Sequence, residues 1–175
     1  MAKTTLNKNI QETYTNLKTK LAQRKCQIIA EDPPNTVSAI QGSIWGTSPK
    51  TAQKKITYTL RQDQAGTNIT STTNLTSAYI NLTLVGCVLS VALLALCVWI
   101  TVDMQGYASN GAGFWGWLAQ TGGQFDAEKA AAFIRLSGIL ATFLVGSLVV
   151  EAYIIWKVRS GIGVFAQDIV KVLQY

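Results

Sequence analysis

The sequence predicts an integral membrane protein: a hairpin of two transmembrane helices joined to a small N-terminal α+β domain. Two apolar runs, residues 82–102 and 136–156, each extend over 21 residues. As helices they have the length needed to cross a hydrocarbon core about 30 Å thick. Ahead of them, short segments with strand-like alternation are separated by turn residues. We expect the domain at 1–77, the first helix at 78–102, a loop at 103–129, the second helix at 130–158 and a tail at 159–175.

The N-terminal domain is predicted to contain one helix and three or four antiparallel strands, with the helix across one face of the sheet. Apolar residues recur at three- and four-residue steps near the N-terminus, which favours an amphipathic helix containing Leu6, Ile10, Tyr14, Leu17 and Leu21. The period-two alternation of residues 55–61 is typical of a half-buried strand. The other strands are expected at residues 26–31, 36–41 and 68–73, with turns at 32–35 and at Gln64-Ala65-Gly66.

Charge is distributed unevenly along the chain and predicts its orientation. Residues 1–79 carry ten Lys or Arg and only four Asp or Glu, so they hold the whole net charge of +6. Because cytoplasmic segments carry the excess of basic residues, both termini are expected in the cytoplasm. Three Asn-X-Thr sequons, at Asn68, Asn74 and Asn81, leave the opposite orientation open, since they could carry glycans if the domain were outside.

The 27-residue loop between the spans is rich in glycine and tryptophan. We expect Phe114, Trp115 and Trp117 to form a short interfacial helix, since tryptophan concentrates at headgroup depth. The same aromatic side chains would also serve as a docking surface for a partner subunit. Asp126 is predicted to cap the second helix, and the amphipathic tail is expected to pack on the sheet of the N-terminal domain.

Small residues in the two spans are candidates for close helix packing. They recur at four-residue steps, which lets helices approach closely, and they are Gly86, Ser90, Gly138, Thr142 and Gly146. Two ionisable residues, Glu151 and Arg135, fall within or beside the second span. Intramembrane charges often mark function, but these two are about 24 Å apart along one helix and cannot pair with each other.

The segment 42–55, GSIWGTSPKTAQKK, raises the question of whether it binds phosphate. Its lysines lie at the wrong offsets for a P-loop, and no strand–loop–helix pattern surrounds it. It is predicted to turn at residues 47–50, with Trp45 covering one end of the sheet. Lys50, Lys54 and Lys55 are expected to face anionic lipid headgroups.

The sequence contains no histidine and only three cysteines, and no hydrolase, P-loop or CxxC motif occurs. We therefore expect no catalytic, cofactor or metal site, and we expect a non-enzymatic accessory or scaffold subunit of a membrane complex. Its partners would be lipid and other integral membrane subunits, with a hetero-complex favoured, a homo-oligomer possible and nucleic acid excluded. Two alternatives remain: a module that binds anionic lipid at the inner leaflet, and a homo-oligomeric ion or proton pathway using Glu151.

Overall fold

The computed structural model describes residues 2–64 and 66–173. It divides the chain into two compact units, one formed by Met1–Thr83 with Ile154–Tyr175 and the other by Leu84–Tyr153. The predicted turn at residues 64–66 includes Ala65, which lies outside the described residues, as does the predicted end of the tail helix beyond residue 173.

A five-stranded antiparallel sheet forms the base of the first unit. Its strand order is β1-β5-β4-β3-β2. The strands are β1 (Ala2–Leu6), β2 (Gln27–Asp32), β3 (Thr36–Gln41), β4 (Lys54–Asp63) and β5 (Gly66–Leu75). The four strands predicted from the sequence are present, and β1 is an additional edge strand.

The first helix, α1 (Ile10–Gln23), begins four residues later than the apolar pattern predicted. The Asn9 side chain accepts a hydrogen bond from the Gln11 amide and so caps this end of the helix. Leu6 is therefore not helical, which corrects the sequence prediction. It lies in β1, pairs with Thr67 of β5 and is buried.

Two helices cover the same face of the sheet. Alternate residues of β4 point inward, where Tyr58 and its neighbours meet Leu17 and Leu21 of α1. The tail helix α4 (Val164–Leu173) adds Ala166, Ile169, Val170 and Leu173 to this core. The expectation that the tail packs on the domain is confirmed, and Val172 on the same helix is 43% exposed.

The opposite face of the sheet is polar. Ser38 of β3 and Thr57 of β4 are paired across the strands, with hydroxyls 3.0 Å apart. Thr57 lies opposite Thr72 of β5, and Thr59 lies opposite Thr70. A face of hydroxyl-bearing side chains does not require apolar cover, so α1 and α4 provide the cover that this small domain needs.

Two long helices, α2 (Ser77–Asn110) and α3 (Ala127–Gly161), are long and apolar enough to cross a membrane. Both contain the predicted spans. In the second unit, α2 buries Cys97 and Met104, while α3 buries Ala130, Ser137 and Leu144 at seven-residue intervals. A seven-residue repeat is the pattern by which two helices keep one face together along their length.

The connection between α2 and α3 contains less helix than the sequence predicted, since Phe114 and Trp115 precede its helical turn. It contains a single 3₁₀ turn, Gly116–Ala119, followed by a minimal hairpin of β6 (Gln120–Thr121) and β7 (Gln124–Phe125). Gly122 and Gly123 both have positive φ, at 61° and 81°, the backbone conformation of a type I′ hairpin turn.

Candidate functional site

The loop of residues 42–53, between β3 and β4, has a backbone fixed by close contacts. Gly42 has φ +93°, and a Cβ at Gly42 would overlap the Ala52 carbonyl. A Cβ at Gly46 would overlap the backbone of Thr51. The Ser48 and Thr51 hydroxyls lie 2.8 Å apart and close the predicted turn. We call residues 42–53 the collar loop; the amides of Ser43, Gly46, Thr51 and Ala52 donate to carbonyls within it.

The collar loop packs against the beginning of α2 and the end of α3. The Tyr79 hydroxyl, in the first turns of α2, donates to the Gly46 carbonyl at 2.9 Å. Ala52 is buried with Tyr79 and Val158 in one cluster. A Cβ on Gly161, the last residue of α3, would lie 2.6 Å from the Pro49 side chain. The loop is therefore held at the bases of both long helices.

The three lysines predicted to face lipid do not share one environment. Lys50 and Lys55 are exposed, whereas Lys54 has no exposed surface. Lys54 cannot contact an anionic surface, and the prediction for this residue is corrected. Trp45 is 74% exposed, so the expectation that it covers an end of the sheet is also wrong.

Lys54 points into the domain because β4 begins one residue earlier than expected. Its amino group donates to the carbonyls of Pro49 and Lys50, the second at 3.2 Å. It lies 5.2 Å from the centre of the Phe165 ring, within range of a cation–π contact. Burial lowers the pKa of Lys54 to about 8, with the nearby Cys26 opposing that shift. The buried amine ties the collar loop to α4.

Other polar groups are buried close to Lys54. Tyr58 and Gln41 each place an oxygen inside the domain without a hydrogen-bond partner among the described residues. Burial raises the pKa of the Tyr58 hydroxyl and also that of the Cys26 thiol. A cavity of about 230 Å³ adjoins this region and is lined by Arg24, Gln41, Lys50, Phe165, Asp168 and Ile169.

Glu31 is exposed and is part of a side-chain network. It lies in β2, where it accepts from Tyr14 at 2.9 Å and pairs with Lys18 at 2.8 Å. Its pKa is lowered chiefly by the hydrogen bond from Lys18 and next by that from Tyr14. This network joins α1 to the edge of the sheet.

Glu151 faces its own hairpin partner in the second unit. Its carboxylate accepts from the Cys87 thiol at 3.3 Å. A Cβ at Gly86 would lie 4.0 Å from an oxygen of this carboxylate, which is an ordinary van der Waals contact. Arg135 is exposed near the other end of α3. The structure places Glu151 beside Gly86 and does not bring it to Arg135.

The small residues predicted to pack helices fall on two different faces. Gly86 and Ser90 of α2 are partly buried. On α3, Thr142 is exposed, and a Cβ at Gly138 or Gly146 would meet no described atom within 4 Å. We call Gly138, Thr142 and Gly146 the open stripe. Beside it runs a shallow groove of about 550 Å³, lined by Phe143, Gly146, Ser147, Val150 and Glu151.

The contact of α3 with α2 uses small residues that sequence reasoning missed. The Ser137 hydroxyl lies 2.7 Å from that of Thr101, and Ser137 is buried. Ser137 is adjacent to Gly138 in the sequence. The four-residue repeat that starts at Gly138 therefore lies on the neighbouring face of α3 and not on the face that contacts α2. A seven-residue repeat through Ala130, Ser137 and Leu144 would have identified the contact face.

The aromatic loop is organised by an acidic residue that the sequence did not single out. The Asp103 carboxylate accepts from the amides of Phe114 and Trp115, at 3.0 and 2.8 Å. Trp99 stacks on Phe114 and meets Trp115 edge to face, each with ring centres 5.5 Å apart. Trp115 is partly buried, whereas Phe114 and Trp117 are exposed. Two of the three predicted docking residues are therefore available to a partner.

Asp126 caps α3 as predicted. Its carboxylate accepts from the amides of Glu128 and Lys129, both at 3.1 Å, and from the Thr121 hydroxyl at 2.8 Å. Its pKa is lowered chiefly by the hydrogen bond from the Lys129 amide. The β6–β7 hairpin is thereby tied to the start of α3.

Within residues 2–64 and 66–173, no group of three or more Cys, Asp or Glu side chains is placed to hold a metal ion. No protein-family model, curated protein or solved structure was found to match the chain.

Proposed function

We propose that this chain is a non-enzymatic accessory or scaffold subunit of a multi-subunit integral membrane complex. In this proposal α2 and α3 span the bilayer, and the basic N-terminal domain lies in the cytoplasm. One observation carries the proposal. The open stripe of α3 lies outside the contact that α3 makes with α2 through Ser137, and a Cβ on Gly138 or Gly146 would meet no described atom within 4 Å.

Small residues on a lipid-facing surface need a physical reason. A helix that faces only acyl chains gains nothing from glycine, which is a weak helix former. Glycine at four-residue steps does allow another helix to approach closely. The groove beside Gly146 enlarges the surface formed by the open stripe. The large side chain of Phe143 lines this groove. A partner helix seated there would fill the groove.

A membrane subunit of another kind suits this surface better than a second copy of the chain. The exposed Phe114 and Trp117 offer a second contact on the connecting loop, where aromatic anchors commonly contribute most of the binding energy. Two separate contact regions on one small hairpin are typical of a subunit that joins dissimilar neighbours. These two regions support a hetero-complex, whose other subunits are to be identified by experiment.

The proposal is tested by extracting the chain from its native membrane in mild detergent and measuring the native mass. We expect a complex in which the chain is one of several polypeptides. Gly146→Leu should release the partners without unfolding the chain, because a Cβ there meets no described atom within 4 Å. Val149→Leu, at another exposed position of α3, is the matched control. A monodisperse monomer for the native chain would overturn the proposal.

A second candidate function is a homo-oligomeric ion or proton pathway. It is supported by Glu151, which lines the groove and also bonds to Cys87. A carboxylate reached from an open groove is a possible proton-binding group in a membrane. Proton flux into liposomes containing the purified chain tests it, and flux that is unchanged in Glu151→Gln would eliminate the role of this residue.

A further inference from the structure

We infer that the collar loop docks in the headgroup layer of the bilayer, with Trp45 as its membrane anchor. The inference rests on the proposal that α2 and α3 span a membrane. It goes beyond the scaffold function, because it assigns a lipid-contacting role to a loop of the N-terminal domain. The observation behind it is that Trp45 is 74% exposed and directly precedes Gly46, whose carbonyl accepts a hydrogen bond from Tyr79 in the first turns of α2.

The depth of the collar loop follows from its contacts with both helices. Tyr79 precedes Leu82, the start of the apolar run, by three residues, or about 4.5 Å of helix. At the other helix, Val158 follows Trp156, the end of the second run, by two residues, or about 3 Å. The polar layer outside the hydrocarbon is roughly 5–8 Å thick on each side. The two contact residues of the collar loop therefore lie inside that layer.

The position of Trp45 within the loop is fixed by its neighbours. The Gly46 carbonyl accepts from Tyr79 at 2.9 Å, so the next residue back along the chain lies beside the base of α2. The Trp45 amide donates to the Ser43 side chain at 3.2 Å, and the Gly46 amide donates to the Ser43 carbonyl at 3.0 Å. The loop holds its backbone in place while its indole remains 74% exposed.

The chemistry of this surface fits a membrane interface. An indole is apolar over most of its surface and carries one N–H donor, so it is stable where headgroups meet acyl chains. Lys50 and Lys55, which belong to the same stretch of the chain, are also exposed. No acidic residue occurs between Asp32 and Asp63. An exposed tryptophan in a segment that carries lysines and no acidic residue is complementary to anionic headgroups, although Asp168 of α4 lines a cavity together with Lys50.

Lipid headgroups are favoured over a protein partner as the material that covers the collar loop. The two helices that hold the loop are the same helices proposed to enter the membrane, so the headgroup layer surrounds their bases whenever the chain is inserted. Docking then requires no separate binding event, since the tether supplies a high effective concentration. A protein partner would have to replace lipid at this position.

The test uses the full chain reconstituted into liposomes of phosphatidylcholine and phosphatidylglycerol. The emission of Trp45 is obtained by subtracting the spectrum of Trp45→Phe from that of the unsubstituted chain. We expect loss of this emission with lipids brominated near the glycerol end of the acyl chain, and protection from aqueous iodide. Quenching by iodide alone would place Trp45 in water and overturn the inference. Quenching by neither agent would mean that protein covers it, which also overturns it.

Trp99, inside the first apolar run, separates this outcome from failure of the membrane assignment. Its emission, obtained in the same way with Trp99→Phe, should be quenched by brominated lipid. If Trp99 is not quenched, α2 does not span the bilayer, and both the membrane assignment and this inference fail. If only Trp99 is quenched, the inference fails alone. Tyr79→Phe removes the bond to Gly46 and should increase the access of iodide to Trp45 while leaving Trp99 unchanged. The native mass measurement judges the scaffold proposal independently.

Discussion

At the residue scale, Lys54 is a buried amine whose ionisation is linked to folding. Its pKa is about 8 in the folded domain and 10.5 in a model peptide. Between these values the unfolded chain binds more protons at this residue, so the folded state should become more stable as pH rises from about 8 to 10.5. The integrated effect is of the order of 3 kcal/mol. Below pH 8 both states carry the proton, and this contribution is constant.

The measurement compares the unsubstituted chain with Lys54→Met. Thermal unfolding of each in mild detergent is monitored by circular dichroism at pH values from 7 to above 10. The difference between the two midpoints should change across this window in favour of the unsubstituted chain. Subtraction removes the titration of Tyr14 and Tyr58, which both chains share. Lys55→Met, at the exposed neighbour, should follow the unsubstituted profile. Parallel profiles for the Lys54 and Lys55 variants would show that Lys54 does not titrate in this window.

The misassignment of Lys54 shows what a period-two pattern can predict at the level of one residue. Ile56, Tyr58 and Leu60 were correctly predicted to face one side. Extending the same alternation back by two residues places Lys54 inward as well. A lysine is rarely buried without a charged partner, so the sequence favours a strand that begins at Lys55. The burial of Lys54 depends on carbonyls of the collar loop, which no local pattern reports.

At the scale of a single element, α4 is an integral part of the domain core. Ile169 is buried against the core, while Val172 on the same helix is 43% exposed. Ile169→Ala should lower the opening free energy of the domain by about 2–4 kcal/mol, because it removes buried methyl groups and leaves a cavity. Val172→Ala is the matched control and should have little effect. Hydrogen exchange of α1 and β4 in the full chain measures both; equal protection in the two variants would show that α4 is only loosely attached.

The hairpin contact of α2 and α3 offers a second element-scale prediction. Thr101 and Ser137 hydroxyls lie 2.7 Å apart in a segment proposed to be surrounded by lipid. Thr101→Val and Ser137→Ala should be coupled by about 0.6 kcal/mol and by no more than about 1.7 kcal/mol, the average and the maximum found for polar contacts between membrane helices. A double-mutant cycle measured by SDS-induced unfolding gives this value directly. Additive effects of the two substitutions would mean that the hydroxyls do not bond in the folded hairpin.

The elements differed in how well the sequence predicted them, for physical reasons. The two apolar spans and β3 follow strong local patterns and lie within the elements predicted for them, although α2 continues to Asn110, eight residues beyond its predicted end. β1 has the sequence AKTTL, which has no apolar alternation, and it is a strand because it pairs with β5. The face on which Gly138 lies depends on the register of α3 against α2. Pairing and register are non-local properties, so neither could be predicted from a single segment.

At the scale of the whole molecule, the proposed orientation follows from the basic residues of the first 79 positions, and it makes a prediction about access from each side of the membrane. Cysteine introduced at Ala112, in the connecting loop, should react with an impermeant maleimide added to intact cells. Cysteine at Thr19, on the exposed side of α1, should react only after the membrane is opened. Both positions are exposed, so accessibility depends on the side of the membrane. The variants are made in a chain whose three native cysteines are replaced by alanine.

The four possible results lead to different conclusions about the molecule. Labelling of Ala112→Cys alone in intact cells supports two spans with both ends in the cytoplasm, as the basic residues predict. Labelling of Thr19→Cys alone would reverse the orientation, place the sequons at Asn68 and Asn74 outside, and make glycan attachment to them the next measurement. Labelling of both would show that α2 and α3 do not separate the two positions. If neither position is labelled in intact cells and both react after permeabilisation, the chain lies wholly on the inner side of the membrane. This result would also show that α2 and α3 do not separate the two positions.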